Sequence, residues 1–83
     1  MKILYFARLR QVIGRGGDEL ELPAHVKDVA QLIDFLKARD EGVAHAFADL
    51  RTLKVAVDQK HSFLTASVVG AREVAFFPPV TGG

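Results

Sequence analysis

The pattern of apolar and polar positions divides the chain into segments with a period of two and one segment with a helical period. The first segment is rich in β-branched and aromatic side chains, and two others alternate polar and apolar residues, as half-buried strands do. Pro78 ends the last strand because it has no N–H to donate to a sheet. The predicted strands are residues 2–9, 18–23, 53–58, 61–63 and 72–77.

Residues 26–39 switch to the helical period, which gives one apolar face. The apolar positions of that face are Val26, Val29, Ala30, Ile33 and Leu36. Gly42 is interpreted as the end signal, and the start is placed loosely because Ala24 and His25 are weak N-caps. A short second helix is predicted within residues 43–50, so the chain is a small α+β domain.

Strand parity predicts which side chains face away from the helix. Charged residues mark the solvent side of a strand, and Lys2, Lys54 and Glu73 identify that side in three of the strands. Arg8 is assigned to the same outer face as Lys2. The apolar residues of this outer face are Leu4, Phe6, Ala56, Ala75 and Phe77, and those facing the helix are Ile3, Tyr5, Val55, Val57, Val74 and Phe76. An exposed apolar patch indicates a partner surface; cover by loops or short helices is the alternative.

Composition narrows the class of protein. The chain has 83 residues and a formal net charge of +1, so it is one domain with no strong attraction to nucleic acid or to anionic membranes. It has no cysteine, which excludes disulfides, thiolate metal sites and a cysteine nucleophile and fits a reducing cytoplasm. The apolar start ends at Arg8 and is too short for a signal peptide or a membrane span.

Side-chain patterns for catalysis or metal binding are weak. His25, His45 and His61 have no shared spacing, and surface positions are the simpler interpretation. The glycine-rich residues 14–17 lack the Gly-Lys-Ser/Thr ending of a phosphate loop and precede a strand. We therefore expect no metal site and no catalysis by this chain alone.

The tail after the last strand is the strongest functional signal. It ends in Gly82 and Gly83, which have no Cβ and fit a cleft too narrow for other residues. The apolar, stiff run of residues 76–79 argues against the alternative of a frayed end. From Pro78 onward the tail extends at most about 20 Å. These features predict that the terminal carboxylate of Gly83 is the reactive group.

Three segments carry a resemblance to a known family. Residues 73–83 (Glu-Val-Ala-Phe-Phe-Pro-Pro-Val-Thr-Gly-Gly) resemble the C-terminal signature of the molybdopterin synthase small subunit, the sulfur carrier of that enzyme. Residues 2–10 and 55–59 are also similar to that family. The chain departs from it at Asp58, where the family often has asparagine, and at Ala71-Arg72, where Gly-Asp is common.

The resemblance implies a ubiquitin-like β-grasp fold, an α+β domain with a mixed sheet of four to five strands packed on one main helix. It implies a β-grasp domain over residues 1–77 and an extended tail over residues 78–83. The tail residues that would enter a partner's active site are Pro78, Pro79, Val80, Thr81, Gly82 and Gly83. The residues expected at the partner interface are Leu4, Phe6, His61, Ala75 and Phe77.

The resemblance also implies a reaction sequence with several partners. An adenylating activator enzyme would use ATP on the Gly83 carboxylate, and a sulfur donor would convert it to a thiocarboxylate. The large synthase subunit would then use that sulfur on cyclic pyranopterin monophosphate to make molybdopterin, in a heterotetramer of two small and two large subunits. The small subunit itself would bind no cofactor.

Two other classes of function stay open at this point. A sulfur carrier for thiamine synthesis or tRNA thiolation would share the fold and the Gly-Gly end. A ubiquitin-like protein tag would form an amide bond with lysine, although such tails carry arginine just before Gly-Gly, where this chain has Val80 and Thr81. An enzyme that acts alone is the weakest of the alternatives.

Overall fold

The computed structural model describes residues 1–79, which form a five-stranded sheet and three helices. The strands are β1 (Lys2–Tyr5), β2 (Gly17–Glu19), β3 (Lys54–Val57), β4 (Lys60–Ser62) and β5 (Glu73–Phe77). The helices are α1 (Ala7–Ile13), α2 (Val29–Arg39) and α3 (Glu41–Ala46). Within these described residues, no helix combines the length and the apolar character needed to cross a bilayer.

The strand order is β2-β1-β5-β3-β4, with β5 at the centre. β1 and β5 run parallel, and the other three pairs are antiparallel, so the sheet is mixed. The longest helix, α2, crosses the inner face, which is the ubiquitin-like β-grasp arrangement. The predicted α+β fold is confirmed, and the sheet has the larger of the two expected strand numbers.

The core lies between the inner sheet face and α2. Five of the six side chains predicted to face the helix are buried, and Val57 is partly buried. From α2, the apolar face contributes Val29, Leu32, Ile33 and Leu36 to the same cluster. Phe47 closes the core after α3, with ring centroids 6.2 Å from Tyr5 and 4.9 Å from Phe76.

The first predicted strand is too long, because the backbone leaves the sheet after Phe6. Ala7 has a φ of 51°, and α1 begins there. Leu9 and Ile13, four residues apart, turn toward the core, so this stretch has a helical period that the strand assignment missed. Arg8 therefore lies on α1 and not on the outer sheet face, which corrects its assignment.

The helix boundaries differ from the prediction for reasons of capping. α2 begins after Asp28, whose carboxylate accepts a hydrogen bond from the Gln31 N–H at 2.8 Å. Gly42 does not end a helix but lies inside α3. Asp40 separates the two helices and accepts from the Gly42 and Val43 N–H groups at 2.7 and 3.3 Å.

A tight turn joins β3 to β4. Asp58 and Gln59 both have positive φ, at 49° and 70°, which is typical of a two-residue hairpin whose twist matches that of the strands. The Asp58 carboxylate accepts from the Arg72 and Glu73 N–H groups at 2.8 and 3.0 Å. The turn thereby fixes the start of β5, the strand that leads into the tail.

Candidate partner surface and carrier tail

The outer sheet face brings together the residues that parity placed there. The register aligns Leu4, Ala75 and Ala56 with His61 in one row across β1, β5, β3 and β4. The two alanines are buried although they point outward, because a methyl group between longer neighbours exposes little area. The row is a shallow apolar strip with a half-buried leucine at one end and an exposed histidine at the other.

Phe6 and Phe77 lie at one end of this face. Their rings stack with centroids 4.8 Å apart and an interplanar angle of 5°. Phe6 is 40% exposed, and Phe77 is partly buried. Because Phe77 is the last residue of β5, this aromatic pair lies directly at the root of the tail. We call Leu4, Phe6, His61, Ala75 and Phe77 the outer patch.

Charged side chains border the outer patch. At the end away from the aromatic pair, Lys2 lies between Glu19 and Glu73 in the register of the sheet. Lys54 lies beside Phe77 on the neighbouring strand. An apolar centre with a charged border is typical of a protein–protein interface. The partner role of these five residues stays a prediction, as their geometry alone assigns no partner.

Sequence reasoning missed one residue beside the outer patch. Phe63 is 82% exposed and follows β4 directly, two residues after His61. The strand predicted around residues 61–63 contained the signal, because alternate residues of a strand share a face. A phenylalanine that is almost wholly exposed extends the apolar surface on the β4 side of the sheet.

The tail is described only at its root. Pro78 is partly buried and Pro79 is exposed. The predicted functions of Val80, Thr81, Gly82 and Gly83, including the carboxylate of Gly83 as the reactive group, lie outside the described residues. The two prolines restrict the direction in which the chain continues from Phe77.

A groove of about 250 Å³ lies beside the tail root. Its lining comes from α1, from α3 with the loop that follows it, and from Pro78 and Pro79. The other lining residues are Arg8, Leu9, Val12, His45, Ala46, Ala48, Asp49, Thr52 and Leu53. The sequence did not predict this groove, because α1 was read as part of a strand.

The three histidines do not come together. His25 precedes α2, His45 lies on α3 beside the groove, and His61 lies on the outer face. Within residues 1–79, no group of three or more histidine, aspartate or glutamate side chains has the arrangement of a metal site.

The fold and its surface define a ubiquitin-like β-grasp domain with one apolar sheet face next to a C-terminal extension. The chain belongs to the ThiS family, whose sequence profile matches residues 3–83. It is 36% identical over 83 residues to the molybdopterin synthase sulfur carrier subunit of Escherichia coli K12, covering 100% of this chain and 99% of that protein.

Two further similarities agree with that assignment. The chain is 32% identical over 83 residues to the molybdopterin synthase sulfur carrier subunit of Haemophilus influenzae, covering 100% of this chain and 99% of that protein. The structure resembles the crystal structure of SAMP1 from Haloferax volcanii with a TM-score of 0.77 and 23% identity, covering 99% of this chain and 97% of that one. At that identity, the likeness to SAMP1 supports the fold alone.

Proposed function

We propose that this protein is the sulfur-carrier subunit of a molybdopterin synthase. The observation that carries the proposal is the position of Phe77, which belongs to the outer patch and is also the residue directly before the tail. A partner that docks on the patch therefore meets the root of the tail. The full-length similarity to two bacterial sulfur carrier subunits supports the same function.

The proposed chemistry begins at the carboxylate of Gly83. A terminal carboxylate has a pKa near 3.5, so it is anionic at neutral pH and a poor electrophile. An activator enzyme supplies ATP, the carboxylate oxygen attacks the α-phosphorus, and pyrophosphate leaves. The resulting acyl-adenylate has a good leaving group. Hydrosulfide supplied by a sulfur donor attacks its carbonyl carbon, AMP departs, and a thiocarboxylate remains on Gly83 after loss of a proton.

The second stage takes place with the large subunit as the partner. The outer patch holds this chain on the large subunit, and residues 78–83 enter the partner's active site. The thiocarboxylate sulfur bonds to a carbon of cyclic pyranopterin monophosphate as the carbon–oxygen bond at that carbon breaks and the oxygen group leaves. Water then cleaves the acyl carbon–sulfur bond of the thioester, which leaves the sulfur on the pterin as a thiolate and restores the carboxylate. This chain contributes binding and positioning, and the catalytic groups come from the large subunit. The proposed assembly has two copies of each subunit, in the cytoplasm.

Docking on the patch and insertion of the tail have opposing energies. Fixing the four non-proline tail residues costs about 4–8 kcal/mol of backbone entropy, at about 1–2 kcal/mol each. Full burial of an exposed leucine or phenylalanine stabilises by about 1.5–3 kcal/mol, but Phe6 is 40% exposed and Leu4 and Phe77 are already partly buried, so the three together return roughly 2–4 kcal/mol. The patch therefore offsets part of the ordering of the tail, and contacts of the tail with the partner must supply the rest.

The test is intact-mass analysis after incubation with the activator, ATP and a sulfide source. We expect the wild-type chain to exchange one oxygen for sulfur, and a chain lacking Gly83 to show no exchange while keeping its fold. Thr81→Ser is the matched control, since it changes the tail but keeps both glycines, and it should be loaded like the wild type. Wild-type pterin conversion by the chain lacking Gly83 would refute the terminus as the sulfur carrier.

A further inference from the structure

One row of side chains crosses the outer sheet face beside the tail root. Phe6 stacks on Phe77, and the register of β5 and β3 puts Phe77 opposite Lys54. The pairing of β3 with β4, continued by one residue beyond Ser62, brings Phe63 beside Lys54 on the other side. Three strand spacings of about 4.8 Å give the row a length of about 14 Å. We call Phe6, Phe77, Lys54 and Phe63 the aromatic row.

The side chain of Phe63 lies on the outer side of the sheet. Its neighbours along the chain, Ser62 and Leu64, are partly buried, and Leu64 packs against the core cluster. Alternate residues of an extended chain face opposite sides, so Phe63 shares the outer side with His61. Its exposure of 82% is the largest among the exposed large apolar residues of the described chain. A phenylalanine that continues an apolar face and is this exposed indicates a surface that a partner covers.

Within residues 1–79, Lys54 carries a charge that no ion pair compensates. It is exposed, and the carboxylates at the opposite end of the outer face belong to Glu19, Asp58 and Glu73. Four residues of strand, about 13 Å, separate that end from Lys54, which exceeds the Debye length of about 8 Å at physiological ionic strength. Asp49, in the loop before β3, is engaged by Arg51 through hydrogen bonds of 3.0 and 3.1 Å. A partner that covers the row must therefore complement the charge of Lys54.

The neighbours of Lys54 define the chemistry of that partner. Covering the row removes water from the ammonium group, and the phenylalanine side chains on either side offer it no acceptor, so an unpaired burial is strongly unfavourable. A carboxylate on the partner supplies both the acceptor and the opposite charge. Apolar side chains on either side of that carboxylate match Phe77 and Phe63. The complementary surface therefore has an aspartate or glutamate between apolar residues.

We propose that Lys54 and Phe63 extend the outer patch into a docking site for the large subunit, on a surface that presents an aspartate or glutamate between apolar side chains. The inference deepens the proposed function and rests on it, since it takes the large subunit as the occupant. The aromatic row is continuous with the outer patch and contains Phe77, the residue directly before the tail. Lys54 contributes specificity, because a partner without the carboxylate leaves the cation unpaired.

Titration calorimetry of the full-length chain with the purified large subunit tests both residues. We expect Phe63→Ala to raise the dissociation constant by about 10-fold or more, as for the truncation of an aromatic side chain buried at an interface. Lys54→Glu should raise it by about 30-fold or more, because it sets like charges against each other, whereas Lys54→Arg keeps the charge and should stay within about threefold. The dissociation constant of the wild type should also rise more steeply with salt concentration than that of Lys54→Gln.

Val69→Ala and Lys27→Glu are the matched controls. Val69 is 71% exposed at the opposite end of the sheet, and Lys27 is exposed directly before the N-cap of α2. The controls repeat the apolar truncation and the charge reversal away from the aromatic row, and both should bind like the wild type. Circular dichroism checks that each variant is folded. The proposal is wrong if Phe63→Ala and Val69→Ala have the same affinity, or if Lys54→Glu and Lys27→Glu do.

Carbodiimide cross-linking of the complex tests the ion pair directly. The reagent joins an amine to a carboxylate in contact with it, with the loss of water. Peptide mass spectrometry should therefore find Lys54 linked to an aspartate or glutamate of the large subunit, and Lys54→Arg should abolish that link. A Lys54 side chain that is linked only to carboxylates of its own chain, or to none, would overturn the proposal.

These outcomes separate the aromatic row from the proposed function. If the wild type accepts sulfur and binds the large subunit while the Lys54 and Phe63 variants bind equally well, this inference alone is wrong. If the wild type neither accepts sulfur nor binds the large subunit, the proposed function is wrong as well. Variants that lose sulfur loading by the activator but keep their affinity for the large subunit would assign the row to the activator and overturn the proposal.

Discussion

At the scale of single residues, Asp18 connects two strands and a helix. Its carboxylate accepts from the Arg15 guanidinium at 2.8 Å and from the Tyr5 hydroxyl at 2.9 Å. The same Arg15 reaches Asp40, the N-cap of α3, at 2.7 Å. The Arg15 guanidinium, followed by the Tyr5 hydroxyl, lowers the pKa of Asp18, while burial and the Asp18 hydrogen bond raise the pKa of Tyr5.

The lowered pKa of Asp18 predicts how stability changes in acid. A carboxyl whose pKa is lower in the folded state stabilises the protein above its unfolded pKa of about 3.9, and that stabilisation is lost as the pH falls through the folded value. We expect Asp18→Asn to lower the free energy of unfolding by about 1–2 kcal/mol at pH 7. We also expect the variant's stability to fall less than that of the wild type between pH 5 and pH 2.

Urea unfolding at pH 7 and in acid measures both quantities. Asp34→Asn is the matched control, because Asp34 is exposed on α2. It should follow the wild-type pH dependence with little change in stability. Parallel pH curves for Asp18→Asn and the wild type would show that Asp18 does not contribute in this way.

At the scale of secondary structure, the β3–β4 turn positions the strand that carries the tail. Asp58 combines a positive φ with two hydrogen bonds to the start of β5. Asparagine tolerates positive φ, and its amide oxygen accepts the same bonds. Asparagine at this position is therefore compatible with the fold. The sulfur-carrier family that the sequence resembles often has asparagine there.

Two substitutions at Asp58 should therefore behave differently. Asp58→Ala removes the carboxylate oxygen that accepts both hydrogen bonds and puts a non-polar residue at positive φ. We expect a loss of about 1–3 kcal/mol in the free energy of unfolding. Asp58→Asn should stay within about 0.5 kcal/mol of the wild type. Thermal and urea unfolding of the two variants checks this, and equal destabilisation by both would mean that the charge, not the acceptor geometry, matters here.

The period of the apolar positions and the alternation of side chains along each strand were enough to predict most of the sheet from the sequence. Ile3, Val74 and Phe76 alternate with outward residues, so the inner face and the row of the outer patch followed directly. The break after Phe6 did not follow, because nothing local signals a φ of 51° at Ala7. That error placed Arg8 on a strand and hid the groove. The caps at Asp28 and Asp40 were also overlooked.

Contacts between distant segments were beyond such reasoning altogether. Arg15 and Asp40 are separated by a strand, a loop and α2, and their ion pair depends on how α3 packs near the β1–β2 connection. A pattern of local periods holds no information on such pairs, which form only after the tertiary fold has brought the segments together.

At the scale of the whole molecule, three surface features lie at one end of the sheet. The aromatic pair, the tail root and the groove are all at the carboxyl ends of the parallel strands β1 and β5. The opposite end carries the exposed Val69 near Met1 and Leu22. Substitutions at the two ends should therefore differ in their effect on partner binding.

Phe77→Asp should weaken binding to the large subunit without unfolding the domain. A charge in place of this aromatic side chain removes apolar area that the partner would bury and leaves a desolvated carboxylate, so we expect the dissociation constant to rise by about 30-fold or more. The loss of the stack with Phe6 should cost about 0.5–1.5 kcal/mol of stability, so unfolding stays cooperative. Val69→Asp introduces the same charge at the opposite end, where the residue is 71% exposed, and should bind like the wild type.

Titration calorimetry with the purified large subunit measures these affinities, and circular dichroism checks the folding of each variant. Unchanged affinity for Phe77→Asp, or equal losses for the two variants, would mean that the outer patch is not the surface on which the partner docks.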